Sequence, residues 1–533
     1  MRVSVIIPAY QAADIIADTV RGAQSLPAVS EVIVVDDGSR DGTGAIAKQA
    51  GADRVIVLPT NQGKGAALRA GVGAASGDTL LFLDADLGAS AAEARALLAA
   101  HESDLAMVIA VLPSPPGTGG FGLLRCLARA AIRLLAGLKV QAPVSGQRAL
   151  AAALVRHIGI APRFGVEVGL TVEATHIGWP IVEISLPFEH RPTTRRLSGF
   201  WHRGRQFWDV LRLVLQIGYG LGWPALPGCR QTLRMTVWAV GLALLVYFAR
   251  AASPAVGMPV MSALVASLAL WLPALWLTAV WLRLRKPNYL GRQVPAAAGL
   301  IAPLVALLIL WWAAPAGGVR AAAITVVGVM GLVGLLDDLL GSRRQARGLR
   351  GHLLALAGGR ITTGAVKAFG GLAAGAAAGM MLHPGRPAEV ALDALLIALS
   401  ANWINLLDLR PGRALKGFAI MALLALALAP DSIRLLGPVL AAALVMAPSD
   451  FAGRTIMGDV GANALGGAAG LALASILGVW GKLAAVLVLA VLHLLCERVS
   501  LTDVFARNRV LRALDRLGTG GLPPLPTPAG TPP

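Results

Sequence analysis

Charge is scarce in this chain. Only 14% of its 533 residues are Asp, Glu, Lys or Arg, and cysteine occurs three times. Cys126, Cys229 and Cys496 are scattered and match no metal-ligand spacing, so no metal module is built on them. The start, "MRVSVIIPAY", lacks the long apolar region and cleavage site of a signal peptide and reads instead as a buried strand. No nucleic-acid-binding motif accompanies the net charge of +18, which arginine-rich loops beside a membrane account for.

Apolar residues are abundant, at 56%, and unevenly placed. The first ~230 residues alternate short apolar runs with polar turns, as soluble α/β domains do. Beyond Arg230 come runs long enough to cross a bilayer, which takes about 17–25 helical residues. Ten spans are expected, near 232–250, 257–282, 295–314, 319–340, 363–382, 388–409, 415–429, 434–448, 461–478 and 480–496. Arg283, Arg285, Lys286 and Arg292 fall in one loop, and Arg343, Arg344, Arg347, Arg350 and Arg360 in another. Arg410, Arg413 and Lys416, then Arg454, then Arg498, Arg507, Arg509 and Arg512 occupy three more segments of the same sidedness. With ten spans these segments and the N-terminal domain share one face, which the positive-inside bias makes cytoplasmic. The expected protein is thus a multi-pass protein of the cell membrane, both termini cytoplasmic. The division is a soluble domain over 1–195, an interfacial amphipathic linker over 196–231, a membrane domain over 232–498 and a cytoplasmic tail over 499–533. The Pro-rich end, "GLPPLPTPAGTPP", is expected to be disordered.

In the soluble part, "VSVIIPAY" and "EVIVVDDGS" read as parallel strands joined by a helix. The second ends in Asp36 and Asp37, at the edge where open α/β sheets bind ligands. A further strand, "TLLFLDADLG", ends in Asp84 and Asp86, two carboxylates spaced to share a divalent cation that neutralises a diphosphate leaving group. Taken singly, such an aspartate is more simply a turn residue or helix cap. Together, "PAY", "VVDDGSRDGT", "NQGKGAALRAG" and "LFLDADLG" resemble the nucleotide-sugar half of a family 2 glycosyltransferase of the dolichyl-phosphate mannose synthase branch, over about residues 1–190.

That resemblance implies a GT-A fold and a bound Mg²⁺ or Mn²⁺. It also implies nucleotide-sugar contacts from Pro8, Tyr10, Asp36, Asp37, Lys64 and Asp84, with Asp86 and Asp84 at the metal. It places Arg148 of "PVSGQRAL" on an acceptor phosphate and Glu167 of "RFGVEVGL" in acceptor or metal orientation, an exposed salt bridge being the plainer reading of that pair. Where relatives often carry an acid after "PAY", this chain has Gln11, with Asp14 further on. Arg125, Arg129 and Arg133 recur every four residues beside Leu and Ile in "FGLLRCLARAAIRLLAGL", giving either an interfacial helix or a core-packing one. "FWHRGRQFWDVLRLVLQ", with Trp201 and Trp208, repeats the amphipathic pattern before the first span.

Asp337 and Asp338 end an apolar run in "GLVGLLDDLLG". Asn402, Asn405 and Asp408 lie in "SANWINLLDLRPGRALKG", and Asp459 lies in "IMGDVGANALGG". Carboxylates at membrane depth are disfavoured against lipid and point to function. Four converging at one depth would form an oxygen-ligand site for Mg²⁺, against the plainer alternative of helix caps and arginine pairs. With the "VP-x-x-x-G" loop, these stretches resemble the polyprenyl-phosphate N-acetylhexosamine-1-phosphate transferase superfamily, over about 260–500. That implies transfer of a sugar phosphate from a UDP-amino sugar to a polyprenyl phosphate, with release of UMP. Asp459 would bind Mg²⁺, Asp337 would position or deprotonate the lipid phosphate, Asp338 would support the metal, and Asn405 and Asp408 would contact the nucleotide-sugar. Pro411 stands where the pattern carries a second acid, and the histidine-rich loop is absent, His493 being the nearest histidine.

The expected whole is an α/β domain followed by an all-α membrane domain, acting on nucleotide-sugars and a polyprenyl phosphate lipid, and compatible with a homo-oligomer. The alternative keeps only the soluble domain catalytic, on a membrane platform that binds lipid. A transporter would carry its carboxylates near mid-span, whereas these cluster at one surface.

Overall fold

The computed structural model of the chain describes residues 2–104, 106–112, 123–188, 197–218, 245, 254–288, 293–313, 317–341, 362–499 and 501–516. They form two compact units, essentially Met1–Gly218 and Gly228–Pro523.

The first unit is built on a seven-stranded sheet of β1 (Val3–Ala9), β2 (Val29–Asp36), β3 (Arg54–Val57), β4 (Thr79–Phe82), β5 (Met107–Val111), β6 (Arg148–Ala151) and β7 (Ile181–Ser185), in the order β3-β2-β1-β4-β6-β5-β7. Only β6 runs antiparallel to its neighbours. Successive side chains of a strand point to opposite faces, so both faces must be apolar when helices cover both. Accordingly Val5, Ile7, Val32 and Val34 fill one core, and Ile6, Ile33 and Val35 fill the other. Helix α1 (Ile16–Gln24) supplies Ile16, Val20 and Ala23 to the first core. Of the following helices, α2 (Thr43–Gln49), α3 (Lys64–Ala74), α4 (Arg95–Asp104), α5 (Leu123–Ala136), α6 (Ala152–Ile158), α7 (Val166–His176) and α8 (Leu197–Gly218), α3 and α7 seal the second. The chain leaves β1 toward β2 on one side and reaches β4 on the other, so a crevice opens at the carboxyl ends of β1 and β4. In α5 one face buries Ala128, Ile132 and Leu135 while Arg125, Arg129 and Arg133 lie exposed on the other. Helix α5 packs on α7 and α8, in line with the core-packing reading of its apolar face. Trp208 on α8 is exposed, and the side chain of Trp201 lies outside the described residues.

The second unit is helical: α9 (Pro254–Trp276, continued by a π turn to Trp281), α10 (Ile301–Ala313), α11 (Gly318–Leu340), α12 (Thr363–Leu382), α13 (Pro387–Leu407), α14 (Arg413–Leu428), α15 (Ile433–Phe451), α16 (Gly458–Ile476), α17 (Val479–Arg498), α18 (Leu501–Arg507) and α19 (Arg509–Arg516). A short ribbon, β8 (Arg285–Pro287) with β9 (Gln293–Pro295), follows α9. Among the described residues six segments are long and apolar enough to cross a membrane: Gly257–Trp281, Gly318–Leu340, Thr363–Leu382, Pro387–Leu407, Pro430–Phe451 and Val479–Cys496. Six of the ten expected spans meet this criterion. The segment expected at 295–314 is a shorter apolar helix, and that at 415–429 is α14, of 16 residues. The segment at 461–478 is α16, buried almost throughout, and 232–250 lies outside the described residues apart from Leu245. The arginines at 343–360 also lie outside them. Exposed tryptophans, among them Trp281, Trp311, Trp312 and Trp480, sit near helix ends, where indole rings suit a membrane–water boundary.

Candidate functional site

In the first unit, the crevice is shaped by backbone contacts to the sequence-marked aspartates. Asp36 accepts hydrogen bonds from Ser39 N at 2.9 Å and Gly44 N at 3.0 Å, which fixes the turn after β2. Asp37 accepts from Gln62 N at 2.7 Å and Gly63 N at 2.8 Å, tying that turn to the start of α3. Both aspartates are buried, whereas Tyr10, just past β1, is half exposed. Pro8 lies opposite Val35 in the strand register.

Lys64, at the first position of α3, is the hub. Its Nζ lies 2.6 Å from Asp84 Oδ1 and 2.8 Å from Glu167 Oε1. Burial works against the charge on Lys64, but the two carboxylates more than offset it and hold the ammonium above its ordinary pKa. Gln147 Nε2 donates to the other Asp84 oxygen at 2.8 Å and its Oε1 accepts from Ser145 Oγ at 3.1 Å. Gly146 makes this approach possible: a Cβ there would lie 2.6 Å from both Asp84 oxygens and press on Lys64 Nζ. Arg148 is enclosed, donating to Ser145 O and Thr171 Oγ1, each at 2.9 Å, while its Nη2 has no partner. Burial lowers its pKa to about 10 despite nearby Glu167, Glu183 and Asp84. The pair read as an exposed salt bridge is thus buried: Glu167 is bound to Lys64, and Arg148 braces the turn before β6 and the helix α7. Asp84 and Asp86 are half-buried at the end of β4. Carboxylate oxygens are donors that a divalent ion takes alongside water and phosphate, and one bound at Asp84 would displace Lys64 from Oδ1.

In the second unit, four distant motifs meet at one end of the helices. The "VP-x-x-x-G" loop is laced to the segment before α16 by Ile456 N to Pro295 O (2.9 Å), Ala298 N to Ile456 O (3.1 Å) and Gly299 N to Met457 O (2.9 Å). Asp459, in the first turn of α16, receives Lys367 Nζ at 2.7 Å. With its amide turned so that both neighbours are satisfied, Asn405 donates to Asp459 Oδ1 at 2.9 Å and accepts from Lys367 Nζ. Asp337 is hydrogen-bonded to Asp459 and to Thr363. Asp338, its side chain fully buried, accepts from Lys286 Nζ at 2.8 Å and from Val460 N at 3.1 Å. Burial opposes the charge on Lys286, yet Asp338 holds its pKa above the ordinary value. Asp408 accepts from Gly458 N at 3.1 Å. Gly458 has a left-handed φ of 75°, and a Cβ there would lie 2.7 Å from Asp338 Oδ2.

All four sequence-marked carboxylates gather here, but they do not surround one point. Among the described residues no group of three or more His, Cys, Asp or Glu side chains is disposed to hold a metal ion. The expected four-carboxylate cage is therefore corrected: Asp338 and Asp408 are turned to Lys286 and to backbone N–H groups. Asp337 and Asp459 remain in mutual contact, an arrangement that needs a proton or cation beside it, and Lys367 stands there. Two such donors suit Mg²⁺, which commonly takes one or two carboxylates and completes its sphere with water and phosphate.

Sequence reasoning missed Gln147, Lys367 and Asp450. Asp450, at the end of α15, accepts from Gly412 N at 2.6 Å, so an acid from another helix stands one residue past Pro411. Polarity inside an apolar run was the available signal for Lys367.

Residues 4–127 match the model of glycosyl transferase family 2, so a domain of that family stands at the N-terminus. Glucosyl-3-phosphoglycerate synthase of Mycobacterium tuberculosis is 31% identical over 196 residues, 32% of this chain and 60% of that protein. The chain thus spans about 60% of the length of that curated relative. Human dolichyl-phosphate beta-glucosyltransferase is 48% identical over 62 residues, 10% of this chain and 19% of that protein. Among solved structures, the mycobacterial synthase in complex with Mn²⁺, UDP-glucose and phosphoglyceric acid covers 40% of this chain and 79% of its own, at 27% identity and a TM-score of 0.35.

Proposed function

We propose that the chain is a membrane glycosyltransferase of lipid-linked glycan assembly with two transferase centres, both facing the cytoplasm at the cell membrane. The family 2 domain takes a nucleotide-sugar at the crevice beside β1, β2 and β4 and passes the sugar to a lipid-linked acceptor. Lys64 orients Asp84 and Glu167 there, and Asp37 fixes the loop that would border the nucleotide. A divalent ion at Asp84 and Asp86 would supply positive charge for the departing diphosphate.

In the membrane unit a phosphate oxygen of polyprenyl phosphate bonds to the β-phosphorus of a UDP-sugar. The bond from that phosphorus to the bridging oxygen breaks, and UMP departs with the electron pair. Asp337 takes the lipid phosphate's proton or orients it, Asn405 and Asp408 border the nucleotide-sugar, and Asp338 fixes Lys286 beside the entering anions. Mg²⁺ at Asp459 and Asp337 would supply charge neutralisation for the diphosphate.

The observation that carries this reading is the convergence of Asp337, Asp459, Asn405 and Lys367 from four helices at one end of the bundle. A second reading, with only the N-terminal domain catalytic, draws on the same geometry: Lys286 and Lys367 already neutralise Asp338 and Asp459. Purified chain with Mg²⁺, undecaprenyl phosphate and a panel of UDP-sugars separates the two. UMP release that is lost in Asp459→Asn supports two centres. Equal background in wild type and variant supports the second reading.

A further inference from the structure

The turn after Asp408 leads into a cationic site that the roles above leave unused. Arg413 opens α14, and its side chain is 3% exposed. Its Nε and Nη2 grip the two oxygens of Asp515, each at 2.9 Å, in a bidentate fork. The guanidinium lies over the Phe505 ring at 4.2 Å. Its remaining nitrogen, Nη1, is buried with no partner. Three residues on, Lys416 Nζ donates to the carbonyls of Leu514 and Asp515, each at 2.9 Å, closing the carboxyl end of α19.

Helix α19 is tied by these polar contacts, and none of its described side chains is buried. Asn508 caps α19 by accepting from Val510 N at 2.9 Å and Leu511 N at 3.1 Å. Most residues of α19 are exposed, including Val510 and Leu514. An element with little buried apolar area opens at low free-energy cost. A guanidinium fork fits carboxylate and phosphate alike, and a phosphate brings a third oxygen that a carboxylate lacks. The orphaned Nη1 is the donor that such an oxygen would satisfy.

We propose that Arg413, with Lys416, is a phosphate-binding site closed in this structure by the Asp515 carboxylate. An incoming phosphate group competes with Asp515 for Arg413 and frees α19, so the C-terminal helix pair is a strap opened by ligand. The anion site stands on the geometry of Arg413, and only the source of its ligand rests on the transferase reading. That source is either the diphosphate of a nucleotide or the phosphate headgroup of a lipid.

The test is hydrogen–deuterium exchange over residues 501–516 of the full chain in nanodiscs at fixed ionic strength. This local readout is not confused by nucleotide bound in the N-terminal unit. UDP is one arm, and nanodiscs with and without undecaprenyl phosphate are the other. One of the two is expected to speed exchange of α19 roughly tenfold, and whichever does so names the source. Asp515→Asn is expected to show fast exchange without ligand, and Asp515→Glu to restore the slow, ligand-responsive strap. If neither probe alters α19 in the wild type, or if Asp515→Asn leaves it protected, the site is a structural ion pair and the proposal falls. UMP release that is lost in Asp459→Asn while α19 ignores both probes leaves the transferase reading standing without the strap. An α19 that opens to UDP in a chain releasing no UMP does the reverse.

Discussion

Lys367 and Asp459 meet at 2.7 Å although 92 residues separate them. The lysine stands in the second turn of α12 and the aspartate in the first turn of α16, and neither side chain is more than 25% exposed. Removing the cation leaves Asp459 beside Asp337 without a positive neighbour on that side, a costly arrangement at low dielectric. Lys367→Met should therefore reduce UMP release at least about tenfold, with Lys367→Arg recovering part of it. Steady-state kinetics at equal folded fraction checks this.

Lys64 does the corresponding work in the N-terminal unit, between Asp84 and Glu167. Lys64→Met should cost roughly 100-fold in sugar transfer by the N-terminal domain, since two carboxylates lose their shared partner. Gly146→Ala should lower nucleotide-sugar affinity about tenfold while the domain stays folded, because the added methyl group presses on Asp84 and Lys64. Binding titrations and circular dichroism distinguish these outcomes.

Toward the opposite end of α13 from Asn405, Asp393 forms an ion pair with Lys482 of α17 at 2.7 Å with neither side chain exposed, and His383 Nδ1 lies 2.8 Å from the other Asp393 oxygen. Losing one partner strands a buried charge, at a cost of about 3–5 kcal/mol. Lys482→Met should lower thermal stability strongly, and Lys482→Met with Asp393→Leu should recover much of the loss. Thermal unfolding of the single and double variants tests that non-additivity.

Glu31 gives the pH prediction. Burial alone would raise its pKa, but Ser4 Oγ at 2.6 Å, Ser76 N at 2.7 Å and Ser76 Oγ at 2.8 Å donate to it and, with Arg54, leave it below its ordinary 4.5. A carboxyl whose pKa falls on folding stabilises the fold above its unfolded pKa. That stabilisation declines as pH drops below about 4.5 and is gone below the folded value. Glu31→Gln should be less stable than wild type at pH 7, with the gap closing as pH falls toward 3. Unfolding midpoints across that range, read on the N-terminal unit, check the sign.

Much of both sites was legible because aspartates stood where apolar or turn sequence made them conspicuous. Asp36, Asp37, Asp84 and Asp86 end predicted strands, while Asp337, Asp338, Asp408 and Asp459 interrupt or border apolar runs. The direction of each carboxylate was not legible, because it depends on cations supplied from elsewhere in the chain. Lys367 reads as a lone charge at the edge of an apolar helix, and only folding sets α12 against α16. Gln147 hid beside the more conspicuous Arg148, and the Arg413–Asp515 fork spans 102 residues. Helix length was the less legible part of the span count: 295–314 and 415–429 fold as helices of only 13 and 16 residues.

Transfer of a sugar phosphate by the helical unit leaves its mark on the lipid product, which mass spectrometry reads. Full-length chain is incubated with Mg²⁺, undecaprenyl phosphate and UDP-sugars, and each lipid product is weighed and its phosphates counted. A diphosphate-linked sugar that disappears in Asp459→Asn is expected, together with UMP. A lipid carrying sugar on a single phosphate from every donor, unaffected by Asp459→Asn, would contradict it.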